Sequence, residues 1–169
     1  DVNEQDSLAT LRAVVPSGIN FLDTAYCYGL AGESERLIGR VLPEMSDDVV
    51  LATKGGLHYN ARAEQAVDGR PETILRECDE SLARLGVERV DLYYLHTPDP
   101  DVPIEQSAGA ISKLIESGKV GAAGASNCTL EQLQAFQEVC PLAAVQLPYN
   151  ILQREIETET IPWCVEQGI

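Results

Sequence analysis

Six polar residues close apolar runs or stand directly after them: Asp23 after INFL, Lys54 after DVVLAT, His96 after VDLYYL, Ser126 and Asn127 after GAAGA, and Gln146 near the end of AAVQL. The stretch FLDTAYCYG adds two phenols, Tyr26 and Tyr28, within five residues of Asp23. A carboxylate, a phenol, an amine and an imidazole are groups of proton transfer and charge stabilisation. A lysine at a strand end is also suited to imine formation. Taken singly, each has a plainer reading: Asp23 as turn former or helix cap, Lys54 as a solvated charge, His96 as a structural histidine, and the tyrosines as packing. The end of a strand as apolar as DVVLAT is, however, a poor place for a solvated lysine. His58 lies in a polar loop without apolar neighbours and is given no role.

Short apolar runs alternate with helix-period stretches along the whole chain. SLATLRAVVPSGINF sets Leu8, Leu11, Val14 and Val15 on one helical face, with Pro16 disrupting the last turn and Gly18 suited to the C-terminal cap. INFL reads as a strand, DTAYCYGLAG as a loop, and SERLIGRVL as a helix whose N-terminal end Glu33 and Glu35 favour. DVVLAT lacks polar alternation, as expected of a strand covered on both faces. After the polar loop GGLHYNARAEQAVDGR, Pro71 opens a helix with Ile74, Leu75, Cys78, Leu82 and Leu85 at three- and four-residue intervals, and Gly86 closes it.

VDLYYL is the next strand, followed by the loop TPDPDVP and a helix carrying Ile104, Ile111, Leu114 and Ile115, stopped by Gly118. KVGAAGAS is a strand of small residues, and Thr129 with Gln132 forms a capping box for LEQLQAFQEV. AAVQLP, the loop YNILQRE and the helix ETIPWCVEQ complete the series.

Strands alternating with helices imply parallel pairing, because each crossover carries a helix. An open dinucleotide-binding sheet is expected to carry GxGxxG after its first strand, and the chain has no such motif. The expected fold is therefore α/β, a partial (β/α)8 TIM barrel with roughly five or six of the eight strand-helix units. A full barrel takes ~250 residues, so residues 1–169 are read as one incomplete domain lacking its first strand and C-terminal units. The C-terminal ends of barrel strands open onto one face. Asp23, Lys54, His96, Ser126, Asn127 and Gln146 would converge there.

Composition narrows the function. Twelve basic against 27 acidic residues give a formal charge of −15, and no basic cluster offsets it, which opposes nucleic acid and anionic membrane surfaces as partners. No apolar run approaches a membrane span and DVNEQDSLAT lacks a signal-peptide pattern, so a cytoplasmic protein is expected. Five widely spaced cysteines without a CxxC pair argue against a disulfide framework or zinc site; Cys27 and Cys128 read as small buried hydrophobes.

FLDTAYCYGLAGESERLIGRVL, VVLATKGG, DLYYLHTPDP, VGAAGASN and VQLPYN, in that order, resemble the aldo-keto reductases, more closely the bacterial oxidoreductase-like branch than the steroid or aldose reductase branch. The resemblance runs from about Leu8 to Ile169. It implies that Tyr28 is the proton donor, that Lys54 and Asp23 are its electrostatic partners, and that His96 orients the substrate carbonyl. It further implies that Ser126, Asn127 and Gln146, beside Asp23, hold the nicotinamide of NADP(H), with NAD(H) as the alternative, and that no metal is needed. The loops expected to bind the cofactor's pyrophosphate and 2′-phosphate belong to the units the chain lacks. Thr97 stands where many relatives carry a bulkier aromatic.

The chemistry is consistent with these roles. Hydride addition to a carbonyl builds charge on oxygen, which a positioned acid relieves. A free phenol, with a pKa of ~10, is too weak an acid near neutrality, and a neighbouring ammonium makes phenolate easier to form. The implied function is reduction of aldehydes or ketones to alcohols, or the reverse, on small-molecule carbonyl or alcohol substrates. Two other readings compete: a nucleotide-binding aldo-keto reductase-like subunit or fragment without turnover, and a Schiff-base aldolase acting through Lys54.

Overall fold

The computed structural model describes residues 3–45, 48–60 and 62–169, without the side chain of Val15, so the inward face expected of that residue lies outside the described set. Its elements are α1 (Glu4–Val14), β1 (Phe21–Asp23), α2 (Glu33–Val41), β2 (Val50–Gly55), β3 (Leu57–Tyr59), β4 (Gln65–Val67), α3 (Pro71–Leu85), β5 (Val90–Leu95), α4 (Ile104–Glu116), β6 (Val120–Ser126), α5 (Leu130–Val139), β7 (Leu142–Gln146) and α6 (Thr160–Gln167). Pro71 and Gly86 bound α3 as expected, and the Thr129–Gln132 capping box is present at the start of α5.

Five parallel strands form one sheet in the order β1-β2-β5-β6-β7. Spatial order follows chain order without the reversal that defines an open doubly wound sheet. The sheet is a curled half-barrel with helices on its outer face, a partial (β/α)8 fold.

The two faces differ in content. Leu22, Leu51, Tyr93, Leu95, Ala123 and Ala125 point outward into the main core with Ile74, Ile111, Leu133 and Phe136 of the helices. Full burial of each large apolar side chain is worth roughly 1.5–3 kcal/mol. The concave face carries Ala52, Leu92 and Tyr94, with Ala122 and Ala144 against them. Tyr94 fits because its neighbour is Gly124: a Cβ there would stand 2.3 Å from the Tyr94 ring. β2 is buried along almost its whole length, as its unbroken apolar run predicts, although it begins at Val50 and extends to Gly55, one residue past Lys54.

The segment after β2 departs from the expected loop, since β3 and β4 pair as an antiparallel hairpin. Three-residue strands are too short to show a period of two, and the turn has neither Asn-Gly nor Asp-Gly. Asn60 makes the turn instead, its Oδ1 accepting from the Arg62 and Glu64 amides at 2.8 and 3.2 Å. The hairpin brings His58 Nδ1 to 2.8 Å from Oε1 of Glu77, a carboxylate with no exposed surface, so a histidine without an expected role is the partner of a buried acid. Burial pushes the Glu77 carboxyl upward, against the Gly56 amide and His58, which pull it down.

Candidate active site

The side chains that close the strands share one face because the strand period is two. Lys54 follows Ala52 by two residues, His96 follows Tyr94, Ser126 follows Gly124 and Gln146 follows Ala144, while Asp23 is the register partner of Ala52. All five therefore belong to the concave row whose lower positions are apolar or small.

Lys54 lies at the centre, with its side chain 1% exposed. Its Nζ is 2.8 Å from both Asp23 carboxylate oxygens, 2.9 Å from the Thr24 carbonyl and 3.4 Å from the Tyr28 hydroxyl, which together account for an ammonium's three donors. It also lies 4.9 Å from the Tyr28 ring centroid and 5.9 Å from that of Tyr94. The attraction between a cation and the ring face adds to the ion pair. Asp23, 30% exposed, takes a further hydrogen bond from Gln146 Nε2 at 3.0 Å.

Tyr28 is exposed on the loop after β1, and its ring meets that of His96 edge to face at 5.8 Å between centroids. His96 is buried just past β5, its amide donating to the Gly55 carbonyl at 2.8 Å. Burial, then the Lys54 charge, lower its pKa to about 4 against a smaller opposing pull from Asp23, so the imidazole is neutral at physiological pH. Cys27 Sγ lies 3.6 Å from His96 Nδ1, the one hydrogen-bond partner of the ring among the described residues. Burial raises the Cys27 thiol above its ordinary value, so it stays protonated and able to donate to Nδ1.

The opposite rim comes from β6 and β7. Asn127 adopts a left-handed backbone (φ 56°), a conformation asparagine tolerates better than most residues. From there its Nδ2 donates to the His96 carbonyl at 2.9 Å and to Ser126 Oγ at 3.2 Å, while its amide bonds the Gln146 carbonyl. All seven residues singled out from the sequence thus border one mouth.

The two tyrosines of FLDTAYCYG part company. Tyr26 turns to α3, donating to Glu80 Oε2 at 2.6 Å, and burial with this bond raises its phenol pKa. Sequence reasoning missed the Thr24 carbonyl, the Tyr94 ring and the Cys27 contact. For Tyr94 the signal was available, since it shares the parity of His96. A groove of about 690 Å³ runs along the free edge of β1 between α1 and α2 and touches Asp23 and Tyr28, but none of Lys54, His96, Ser126 or Gln146; it is the uncovered sheet edge and not the mouth.

Among the described residues no cluster of His, Cys, Asp or Glu is arranged to hold a metal ion, and no helix is long and apolar enough to cross a membrane.

Comparison with known proteins agrees with the fold. The chain is 39% identical to aldo-keto reductase YhdN of Bacillus subtilis, a match over 99% of this chain and 50% of that protein. Among solved structures, it superimposes on the glycerol dehydrogenase AKR11B4 of Gluconobacter oxydans with a TM-score of 0.90 at 37% identity, covering 99% of this chain and 53% of that one. It likewise resembles an aldo/keto reductase from Klebsiella pneumoniae in complex with NADP and acetate, with a TM-score of 0.83 at 30% identity over 98% and 56% of the two chains. The chain thus spans about half the length of the relatives it matches. The model of the aldo/keto reductase family matches residues 1–169, and the chain belongs to that family.

Proposed function

We propose that the complete protein carrying this chain interconverts aldehydes or ketones and alcohols with NADP(H), with NAD(H) as the alternative, and that Tyr28 is its proton donor. The observation that carries this reading is the Tyr28 hydroxyl 3.4 Å from a buried Lys54 Nζ that Asp23 holds from its other side.

The rim residues fit a nicotinamide carboxamide. Gln146 and Asn127 spend amide hydrogens on Asp23, His96 and Ser126, which leaves their side-chain oxygens without a partner among the described residues. Those oxygens suit the NH2 of a carboxamide, and the Ser126 hydroxyl suits its carbonyl. When bound, the cofactor supplies or accepts hydride.

The remaining work falls to this chain's residues. Lys54 stabilises the negative charge left on Tyr28 Oη as the phenol gives its proton to the substrate oxygen, at a point where little water screens the charge. Asp23 keeps Lys54 aimed. His96, neutral and protonated at Nε2, donates a hydrogen bond to the same oxygen and orients the carbonyl.

The aldolase alternative is disfavoured because every Nζ hydrogen is engaged and the side chain is buried, so a carbonyl carbon reaches Lys54 only by breaking the Asp23 pair. The decisive measurement is NADPH oxidation by the complete protein over a panel of aldehydes and ketones, beside Tyr28→Phe. Undiminished turnover in that variant would reject the donor assignment. Tight cofactor binding without turnover on any substrate would favour the non-catalytic subunit.

A further inference from the structure

Arg84, in the last turn of α3, touches neither the mouth nor any residue bordering it except through others, yet it organises both halves of the Tyr28–Lys54 pair. Its Nη1 donates to the backbone carbonyl of Tyr26 at 3.1 Å and to Glu35 Oε2 at 3.1 Å, and its Nη2 is 3.5 Å from Glu80 Oε2. The guanidinium carbon lies 4.1 Å from the Tyr26 ring centroid. The side chain is 13% exposed, and Glu35 has no exposed surface at all. A planar fork with several fixed donors is suited to such convergence, where a lysine ammonium is not.

The fit around Arg84 is close. Gly32 (φ 73°) lies against it, and a Cβ added there would stand 2.5 Å from Nη1. Glu35 extends the reach of the cluster: its Oε1 accepts from Thr53 Oγ1 at 2.7 Å, and Thr53 directly precedes Lys54 on β2. Tyr26 in turn donates its amide to the Lys54 carbonyl at 2.9 Å, and the Tyr28 amide bonds the Ala25 carbonyl at 3.0 Å. A single guanidinium thus holds the loop bearing Tyr28 and, through Glu35 and Thr53, the strand bearing Lys54.

We propose that Arg84 is a positioning residue for proton transfer: it clamps the Tyr26 carbonyl and Glu35 so that Tyr28 Oη stays within reach of Lys54 Nζ. This rests on the reading of Tyr28 as proton donor. Removing the guanidinium leaves the loop tied to α3, among the described residues, only by the Tyr26–Glu80 side-chain bond and releases its backbone without removing any group at the mouth, and a displacement of about 1 Å at the reacting atoms can cost on the order of 10²-fold in rate.

The test uses the complete protein with Arg84→Met, and Arg84→Lys in case the first variant folds poorly. The expected result is a kcat lower by on the order of 10²-fold, with KM for NADPH and the carbonyl substrate unchanged, and no added loss when Arg84→Met is combined with Tyr28→Phe. A purely structural role would give additive losses instead. Amide hydrogen exchange gives a second readout that does not depend on activity. Exchange at Tyr26, Tyr28 and Ser34 should rise on the order of tenfold, the equivalent of one charged hydrogen bond, while α4 and α5 stay unchanged. Additive kinetic losses, or exchange rising equally throughout the barrel, would overturn the proposal. If the unaltered protein reduces no carbonyl, the donor reading falls and the exchange result alone decides the clamp.

Discussion

The side-chain amide of Gln146 donates to Oδ2 of Asp23 across 3.0 Å, although the two residues close β7 and β1, the outermost strands of a five-stranded sheet. In a flat sheet the two strands would lie about 19 Å apart, four spacings of roughly 4.8 Å. Two side chains cannot span that gap, so the contact requires the sheet to curl. The same curl turns five strand ends into one mouth and brings the Asp23–Lys54 pair beneath the rim formed by β6 and β7.

Tyr28→Phe should reduce carbonyl turnover by about 10²–10⁴-fold, the usual worth of a positioned general acid, while binding of NADPH is retained. Tyr26→Phe removes only a hydrogen bond to Glu80 on the far side of the loop and should leave most of the turnover. Parallel steady-state assays and cofactor titrations of the two variants check the pair. The opposite ranking would transfer the donor role to Tyr26.

The Asp23–Lys54 pair should respond unequally to loss of either partner. Asp23→Asn leaves a buried ammonium without its counter-charge, a cost of about 3–5 kcal/mol. Lys54→Met leaves a carboxylate that is 30% exposed and keeps the Gln146 bond, so it should cost less. Denaturant midpoints of the two variants would refute this if Lys54→Met proved the more damaging.

Acid should destabilise the fold through His96. Its folded-state pKa, about 4, lies below the ordinary value of 6.5, so the unfolded chain binds the extra proton first as pH falls. The contribution is full above pH 6.5, declines between 6.5 and about 4, and reaches its floor below that. Thermal melts across this window should show a shallower decline for His96→Gln than for the unaltered protein. Equal slopes would mean the imidazole is not held neutral.

Replacing Cys27 with valine keeps the bulk beside His96 and removes the donor 3.6 Å from Nδ1. The proton should then redistribute toward Nδ1, visible in the ¹⁵N shifts of the ring. An unchanged tautomer ratio would show that the thiol does not set it.

Local patterns in the chain account for several elements. The unbroken apolar run of DVVLAT, the three- and four-residue spacing of Ile74, Cys78, Leu82 and Leu85, and the Thr129–Gln132 box are legible in the residues themselves, and β2, α3 and α5 follow them. The hairpin of β3 and β4 is not legible in this way, because three-residue strands carry no usable period and its stabilising partner, Glu77, lies on a different element.

Glu35 shows the same limit from the other direction. Its place in the first turn of α2 suggests a solvated acid favouring the helix dipole, but it is fully buried between Arg84 and Thr53. Nothing nearby in the chain distinguishes it from Glu33, which instead accepts from the Ala31 amide.

Sequence alone set the alternation of strands and helices, the polar residues at the strand ends, and the resemblance that assigned them roles. These depend on residues a few positions apart, where backbone periodicity dictates which side chains share a face. Tertiary packing decided that Gln146 meets Asp23, that all the Lys54 donors are engaged, and that Arg84 holds the Tyr28 loop. Those contacts join residues 26 to 123 positions apart, and the curvature of the sheet and the packing of α2 on α3 bring them together.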